Sequence, residues 1–312
     1  RKNCVIIILI LLVRIYLLNN NQLAIFLIII SIIFGTLMGT FIKLAQEELN
    51  VFTTGFLRFF FGFLIITPYI LKTKFEVFST KNLKIHILRS ALNLPAMLLG
   101  FAALAMLPLE KMTAIHFIVP IIVTILAVIF LKEKIYLYRS IALVMGFLGM
   151  LIILRPGIID ISIGIYMALI SSLIWSVVII LTKKVSKDDS AITILSHQYV
   201  YMSLFSFPLV IYFWDQPSLK TIIFILCAAM SGTILHIALN HAYKLVDVTM
   251  TQPYSFLGLV VSSIIGYFVF SDKPDFYTWL GASVIFCGVL LISYRELQLN
   301  KEITRKRLNI NS

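Results

Sequence analysis

Residues 34–43, FGTLMGTFIK, and residues 175–184, WSVVIILTKK, share an aromatic residue, a small residue after it and a lysine at the same spacing. The two stretches lie 141 positions apart. Further residues match in the same order at offsets of 139 or 140 positions: Pro68 with Pro208, Glu133-Lys134 with Asp272-Lys273, Tyr138 with Tyr277, and Gly149 with Gly288. We therefore predict that the chain contains two copies of one unit.

Long apolar stretches fill both copies. The 312 residues are 60% hydrophobic and 13% charged, with a mean hydropathy of +1.01, whereas soluble domains carry about 25% charged residues. A helix crosses the hydrocarbon core with about 20 apolar residues, and open sheets cannot survive in lipid. The sequence predicts an all-α integral membrane protein with ten transmembrane helices, at residues 23–44, 51–71, 85–107, 112–131, 137–154, 161–183, 191–213, 220–243, 249–270 and 275–294.

The ten predicted spans divide into two sets of five. Five is an odd number, so the second set runs through the membrane in the opposite direction, as a 5+5 inverted-topology repeat. We predict a first repeat at residues 21–156, a second at residues 157–298 and a basic cytoplasmic tail at residues 299–312. Residues 1–20 contain a short apolar run interrupted by Arg14 and have no counterpart in the second half. They favour an N-terminal extension outside the core, or an interfacial segment, over an eleventh span.

The basic residues indicate the orientation. Loops and ends on one side of the predicted spans hold sixteen Lys and Arg residues, and those on the other side hold five. Basic residues accumulate on the cytoplasmic side of a membrane protein. We therefore expect a multi-pass protein of the cell inner membrane with both termini of the ten-span core in the cytoplasm. The sequence leaves the oligomeric state open, and a monomer is compatible with it.

Several function classes lack the residues that they need. The net charge of +12 is scattered between apolar runs, which argues against nucleic acid as a partner. Cys4, Cys227 and Cys287 have no metal-ligand spacing, so neither a metal nor a cofactor is expected. All 14 acidic residues lie at predicted loops or span ends, so the sequence predicts no buried acid–base pair of the kind that an enzyme needs. The expected partners are the lipid bilayer and a small-molecule substrate.

Several motifs give the chain a resemblance to a known family. They are the aromatic–small–lysine pattern of both copies, Arg58 in span 2, ALAMLPL at residues 103–109, Pro120 in span 4 and LKEK at residues 131–134. In these motifs, residues 22–298 resemble the EamA-type branch of the drug/metabolite transporter superfamily. The resemblance implies a carrier with a central cavity and alternating access. The second copy departs from the pattern, because His197-Gln198-Tyr199 stands where a second arginine would fall.

Within this branch, the overall sequence resembles the S-adenosylmethionine uptake transporters of obligate intracellular bacteria. That resemblance implies a secondary transporter for S-adenosylmethionine, working alone or as an antiporter in exchange for S-adenosylhomocysteine. An exporter of amino acids, metabolites or drugs on the same fold is the alternative. A membrane enzyme or scaffold is disfavoured, because the chain has neither a catalytic constellation nor a soluble domain.

Arg58 is the first candidate for substrate binding. It lies seven residues into span 2, about 10 Å from the end of the span. From this depth a side chain does not easily reach the interface. A charge at this depth costs about 2.5–3.5 kcal/mol on insertion scales. Arg58 is therefore either a ligand for a substrate carboxylate or a structural anchor that caps helix carbonyls. Arg89 is expected to reach the interface from its span end, and His86 to be solvated.

Uncharged polar side chains at membrane depth form a second group of candidates. Each of them is either a substrate contact or a satisfied interhelical hydrogen-bonding group. His236 and His241 lie five positions apart on span 8, so at most one of them can face a site. The predicted contacts are Asn93, His116, His197, Gln198 and Asn240.

Aromatic side chains near the seam between the repeats form a third group. An adenine ring needs a flat stacking partner, and a cation gains about 0.5–2 kcal/mol over an electron-rich ring. The chain holds 40 Phe, Tyr and Trp residues, so the alternative for each is contact with lipid or core. The predicted ligands are Trp175, Phe34 at the position matched to it, Tyr199 and Tyr254.

Overall fold

The computed structural model of the protein describes residues 20–107, 109–155, 162–270 and 275–310. Within these ranges the chain folds into ten helical segments, of which two are interrupted. The continuous helices are α1 (Asn20–Ala45), α2 (Val51–Lys72), α3 (Leu83–Met106), α5 (Leu137–Leu154), α6 (Ile163–Val185), α7 (Ala191–Tyr212), α8 (Leu219–Leu245) and α10 (Phe276–Ile310). The interrupted helices are α4a (Leu109–His116) with α4b (Ile118–Leu126, continued by a π-helical turn at Ala127–Leu131), and α9a (Val248–Thr251) with α9b (Leu257–Phe270), which a 3₁₀ turn at Gln252–Phe256 joins.

The predicted all-α fold with ten spans is confirmed. Nine predicted spans match the helices to within three residues at each end, and α10 continues to Ile310. Among the described residues, seven helices are long and apolar enough to cross a membrane, and the apolar parts of α4, α5 and α10 are shorter. Of the predicted terminal segments, residues 1–19 and 311–312 lie outside the described residues.

A lysine joins the first helix of the first repeat to the third. The Lys43 Nζ atom donates hydrogen bonds to the carbonyl oxygens of Leu104 and Leu107, at 3.0 and 2.6 Å. One turn later, Gln46 Nε2 donates to the carbonyl of Phe101 at 3.0 Å. The last carbonyls of a helix have no partner within it and carry partial negative charge. The two side chains therefore attach the end of α1 to the end of α3.

The second repeat contains the same contact. Lys183 Nζ donates to the carbonyls of Tyr243 and Val246 at the end of α8, at 2.5 and 2.6 Å. Lys43 therefore corresponds to Lys183, 140 positions on, and the predicted match with Lys184 is wrong by one residue. Two consecutive lysines cannot be told apart in the sequence, but a helix turns by about 100° per residue. Only Lys183 points at α8, and Lys184 is exposed.

Replacing Lys183 by methionine is expected to destabilise the protein by about 2–4 kcal/mol, because two carbonyls lose a charged donor. Thermal unfolding of the purified protein in detergent would show a lower midpoint. Lys184→Met is the matched control and is expected to change stability by less than about 0.5 kcal/mol. Equal shifts for the two variants would contradict the assigned contact.

Glycine brings α5 and α10 into backbone contact. A Cβ atom on Gly149 would lie 2.7 Å from the carbonyl oxygen of Gly281, and a Cβ atom on Gly281 would lie 2.5 Å from that of Gly149. Small residues at a helix crossing allow this close packing in membranes.

The pair α5–α10 contributes no described residue to the central cavity, so the other eight helices form its wall.

Candidate functional site

A cavity of about 400 Å³ lies between the two repeats. Eight helices line it, namely α1 to α4 from the first repeat and α6 to α9 from the second. Carriers built from inverted repeats hold substrates at such a seam. The volume falls within the usual range of about 300–1,000 Å³ for small-molecule sites.

Seven residue pairs on four of the lining helices follow the repeat. On α1 and α6, lining residues spaced four apart pair at an offset of 140 positions, and on α3 and α8 the offset is 139. Side chains four apart lie on one face of a helix, so equivalent faces of the two repeats meet across the cavity. The pairs are Ser31 with Ser171, Gly35 with Trp175, Gly39 with Ile179, Ala96 with Leu235, Met97 with His236, Gly100 with Leu239, and Leu104 with Tyr243.

The two interrupted helices break at equivalent positions beside the cavity. The break in α4 lies at Phe117, and the 3₁₀ turn in α9 ends at Phe256, 139 positions later. The two rings contact each other, with centroids 4.8 Å apart. Pro120 and Pro253 each remove one backbone donor near these breaks. Interrupted helices expose polar backbone groups where they line a cavity, which is typical of transporter sites.

Arg58 is a buried cation without an anionic partner. Its side chain is 3% exposed. Nη2 lies 3.0 Å from the sulfur of Met38 and 3.3 Å from Nε2 of His236, and the guanidinium lies 4.2 Å above the ring of Phe59. Nε has no hydrogen-bond partner, and Arg58 forms no ion pair within the part of the chain that the structure describes. A buried guanidinium is costly unless an anion pairs with it.

His236 and Gly232 complete the surroundings of Arg58. Arg58 can only donate hydrogen bonds, so the facing Nε2 atom of His236 is an acceptor and this imidazole is neutral. A Cβ atom at Gly232 would lie 2.6 Å from Nη2 of Arg58, so glycine makes room for the guanidinium. Trp175 lies edge-on to His236, with ring centroids 6.4 Å apart. His241 is exposed, and only one of the two histidines of α8 faces the cavity, as expected.

Half of the predicted site residues line the cavity. Arg58 and Gln198 occupy equivalent positions 140 apart. Gln198 and Asn93 are 3% and 4% exposed, and neither hydrogen-bonds to another described residue. Their amide groups are therefore free to contact a ligand. The predicted residues that the structure brings together are Arg58, Asn93, His116, Trp175 and Gln198.

The other half lie outside the lining. The hydroxyl of Tyr199 is 2.7 Å from that of Thr233, and its ring contacts Phe59 edge-on from behind the cavity wall. Tyr254 is fully buried in an apolar cluster with Ile28 and neighbouring residues. The residues outside the lining are Phe34, His197, Tyr199, Asn240 and Tyr254.

Two expectations about the ends of the spans are wrong. His86 is fully buried, not solvated, and its Nε2 atom lies 2.9 Å from Asp189. Arg89 is 2% exposed and does not reach the interface. It donates hydrogen bonds to the hydroxyl of Thr182 at 3.1 Å and to the carbonyl of Ile194 at 2.8 Å. In both cases a partner from a distant part of the chain replaces solvent, and hydropathy does not reveal such a partner.

Sequence reasoning also missed part of the lining. His236 is one of two candidate histidines on α8, and the predicted ligands do not include Phe59, Ser31 or Ser171, which line the cavity. Applying the 140-residue offset to the serines would have paired Ser31 with Ser171. No sequence signal marked Phe59, one of many phenylalanines in α2.

Comparisons with known proteins agree with this architecture. The model of the EamA-like transporter family matches twice, at residues 22–155 and 162–294. The S-adenosylmethionine uptake transporter of Rickettsia felis is 30% identical over 89% of this chain and 94% of its own length. The riboflavin transporter of Vibrio cholerae is 27% identical over 80% of this chain and 85% of its own length. A crystal structure that is 15% identical shares the fold, with a TM-score of 0.74 over 88% of this chain and 98% of that chain.

Proposed function

The chain belongs to the EamA-like transporter family, and from this premise we propose that it takes up S-adenosylmethionine through the cavity between its repeats. Like its relatives, the chain is a transporter and not an enzyme. Relatives named S-adenosylmethionine uptake transporters, at 28–30% identity over at least 86% of the chain, support this substrate.

The unpaired guanidinium of Arg58 is the observation that carries the proposal. A carboxylate accepts two parallel hydrogen bonds from an arginine, and such pairs are about twice as strong as neutral hydrogen bonds. S-adenosylmethionine has one carboxylate, on its amino-acid portion. Docking it on Arg58 supplies the missing anion. Riboflavin has no carboxylate and would leave Arg58 unpaired, so the site favours the first substrate over the second.

The rest of the cavity suits the other parts of this substrate. No described residue of the lining is acidic, so the sulfonium must be held without a countercharge. The ring of Trp175 offers a cation–π contact, whereas the guanidinium of Arg58 already lies over Phe59. A flat adenine ring can stack on the same surface of Trp175, while the free amides of Asn93 and Gln198 offer donors and acceptors for its edge.

The membrane potential is sufficient to drive this uptake. The substrate carries about one net positive charge, and a potential of 100 mV, inside negative, is worth about 2.3 kcal/mol per charge, or roughly fifty-fold accumulation. Exchange for the neutral product S-adenosylhomocysteine by alternating access would keep that driving force. The distribution of Lys and Arg supports insertion in the inner membrane with both termini of the core in the cytoplasm.

Competition uptake in cells that express the full chain tests the proposal. Labelled S-adenosylmethionine is expected to enter well above vector background, and excess S-adenosylhomocysteine is expected to compete more strongly than methionine, adenosine or riboflavin. In proteoliposomes, a valinomycin-imposed potential should raise accumulation. Absence of labelled uptake would overturn the substrate and favour an exporter of amino acids, metabolites or drugs. Uptake that ignores the potential would overturn the energetics.

A further inference from the structure

At one end of the molecule, four charged or titratable side chains are buried together. His86 and Arg89 come from α3, His197 comes from α7, and Asp189 comes from the loop between α6 and α7. We call these four residues the histidine cluster. Their exposures are 0%, 2%, 3% and 6% in this order. None of them lines the central cavity.

Asp189 binds His86 and the loop before α3. The Asp189 Oδ2 atom lies 2.9 Å from Nε2 of His86, and it accepts hydrogen bonds from Thr80 Oγ1 at 2.9 Å and Asn82 Nδ2 at 3.3 Å. Burial favours the neutral carboxyl, but the hydrogen bonds from His86, Thr80 and Asn82 outweigh it, so the pKa of Asp189 is below its ordinary value. Asp189 is therefore a carboxylate, and His86 donates to it through Nε2.

Both imidazoles keep a bare nitrogen. The ring of His197 stacks on that of His86, with centroids 4.5 Å apart and planes at 18°. His197 also lies edge-on to the ring of Phe78, with centroids 5.4 Å apart, and stacks on Tyr201 at 5.9 Å. Nδ1 of His86 and Nε2 of His197 are buried without a hydrogen-bond partner. Each of these two atoms can accept a proton.

The fixed charges of the cluster already balance. Arg89 supplies one positive charge, and its Nη atoms bind the hydroxyl of Thr182 and the carbonyl of Ile194. Asp189 supplies the opposite charge. Asp188 contacts Asn82 at 3.3 Å from the exposed side of the loop, and the lysines of the surrounding surface, Lys81, Lys84 and Lys187, are exposed. Two protonated imidazoles stacked beside Arg89 would repel each other and the guanidinium.

The repeat contains the same interface a second time, with apolar residues at the four equivalent positions. The carboxylate on that loop, Glu48, is exposed and accepts hydrogen bonds from Ser218. At offsets of 140 and 139 positions, Asp189 corresponds to Leu49, His197 to Leu57, His86 to Ile225 and Arg89 to Ala228. Leu49, Leu57 and Ile225 form an apolar cluster at the opposite end of the molecule. An apolar version therefore suffices to pack this interface. The titratable version needs another reason.

We propose that the histidine cluster is a proton-binding site, and that proton uptake by His86 and His197 opens the α3–α7 interface during transport. The inference rests on the proposed transport function. With the expected orientation, this end of the molecule faces the cytoplasm. While α3 and α7 are packed, the two bare nitrogens are shielded from water. When the helices separate, both imidazoles are hydrated and charged, so acid favours the open state.

The distance between the two loops that flank the cluster tests this proposal without any substrate. Nitroxide labels at positions 81 and 187, which are exposed, would be introduced as cysteines in the full chain after replacement of Cys4, Cys227 and Cys287. Each coupled proton changes the open-to-closed ratio by up to about tenfold per pH unit. We expect a longer distance to gain population by about tenfold or more between pH 7.5 and 5.5.

Matched variants identify the groups that take up the protons. The double variant His86→Gln/His197→Gln is expected to lose the pH response. His197→Gln alone leaves the His86–Asp189 pair in place. It removes one coupled proton and is therefore expected to reduce the change of the open-to-closed ratio by up to about tenfold per pH unit. His241→Gln, which removes an exposed histidine of α8, should keep the response. A distance that does not change with pH in the native protein would overturn the proposal. So would a full pH response in both the double variant and His197→Gln.

Uptake assays separate this proposal from the substrate. If the distance responds to pH through His86 and His197 but S-adenosylmethionine does not enter, only the proposed substrate fails. If S-adenosylmethionine enters but the distance ignores pH, only the proton site fails. If both proposals hold, acidifying the lumen that corresponds to the cytoplasm should change the uptake rate of the native protein by severalfold, and the double variant should show a flat profile.

Discussion

Arg58→Gln is expected to lower the efficiency of S-adenosylmethionine uptake by about 100-fold or more. Hydrogen bonds to a charged group are worth about 1.5–3 kcal/mol each, and a carboxylate can receive two of them from the guanidinium. Since about 1.4 kcal/mol corresponds to a factor of ten, the loss of both bonds gives this magnitude. The measurement is the initial uptake rate against concentration in proteoliposomes with equal amounts of inserted protein.

A substrate without the carboxylate is the sharpest control for this prediction. Decarboxylated S-adenosylmethionine keeps the adenine and the sulfonium, so the native protein and Arg58→Gln should transport it with efficiencies within about threefold of each other. Arg58→Lys keeps the charge but loses the bidentate donor. Its efficiency of S-adenosylmethionine uptake should lie between those of the native protein and Arg58→Gln. An equal loss for both substrates would show that Arg58 is a structural anchor.

Gly281→Ala is expected to destabilise the protein by about 3 kcal/mol or more. The added methyl group would lie 2.5 Å from the carbonyl oxygen of Gly149 and equally close to the side chain of Ile153. A backbone carbonyl cannot rotate away, so α5 and α10 must separate, and overpacking against rigid atoms is at the upper end of the observed costs. Thermal unfolding in detergent and the yield of monodisperse protein measure the effect.

Gly258→Ala is the matched control, because its added methyl group would meet its nearest neighbour, on Ile32, at an ordinary 3.7 Å. This variant should unfold within about 0.5 kcal/mol of the native protein. Similar unfolding midpoints for the two variants would contradict the close contact between α5 and α10.

Much of the fold could be predicted from residue types alone. Apolar runs located nine of the ten helices to within three residues at each end, because lipid requires a continuous internally bonded helix of a certain length. The repeat is also visible in the sequence, but the predicted register is wrong by one residue at Lys183 and at Trp175, which corresponds to Gly35 and not to Phe34. Neighbouring identical residues are equivalent in a sequence, while their side chains point in directions about 100° apart on a helix.

The site was predictable where depth and polarity coincide. Arg58, Asn93 and Gln198 are polar groups far from any predicted loop, and all three line the cavity. His197 and Tyr199 are equally polar and equally deep, yet neighbouring side chains occupy both of them. Depth in the membrane does not distinguish a helix face that meets a cavity from one that meets another helix.

Hydrophobic length and the odd number of spans in each copy determine, from the sequence alone, a helical membrane protein made of two oppositely directed halves. The reason is that the energy of placing backbone and side chains in lipid depends on composition along the chain, which the sequence records. The tertiary structure alone decides which of the equivalent positions face the cavity and which face another helix. Packing places Arg58 next to His236 in the cavity. It also places the histidine cluster at one end of the molecule and its apolar equivalent, Leu49, Leu57 and Ile225, at the other end. Such pairings depend on helix rotation and on contacts between distant residues, which no local pattern contains.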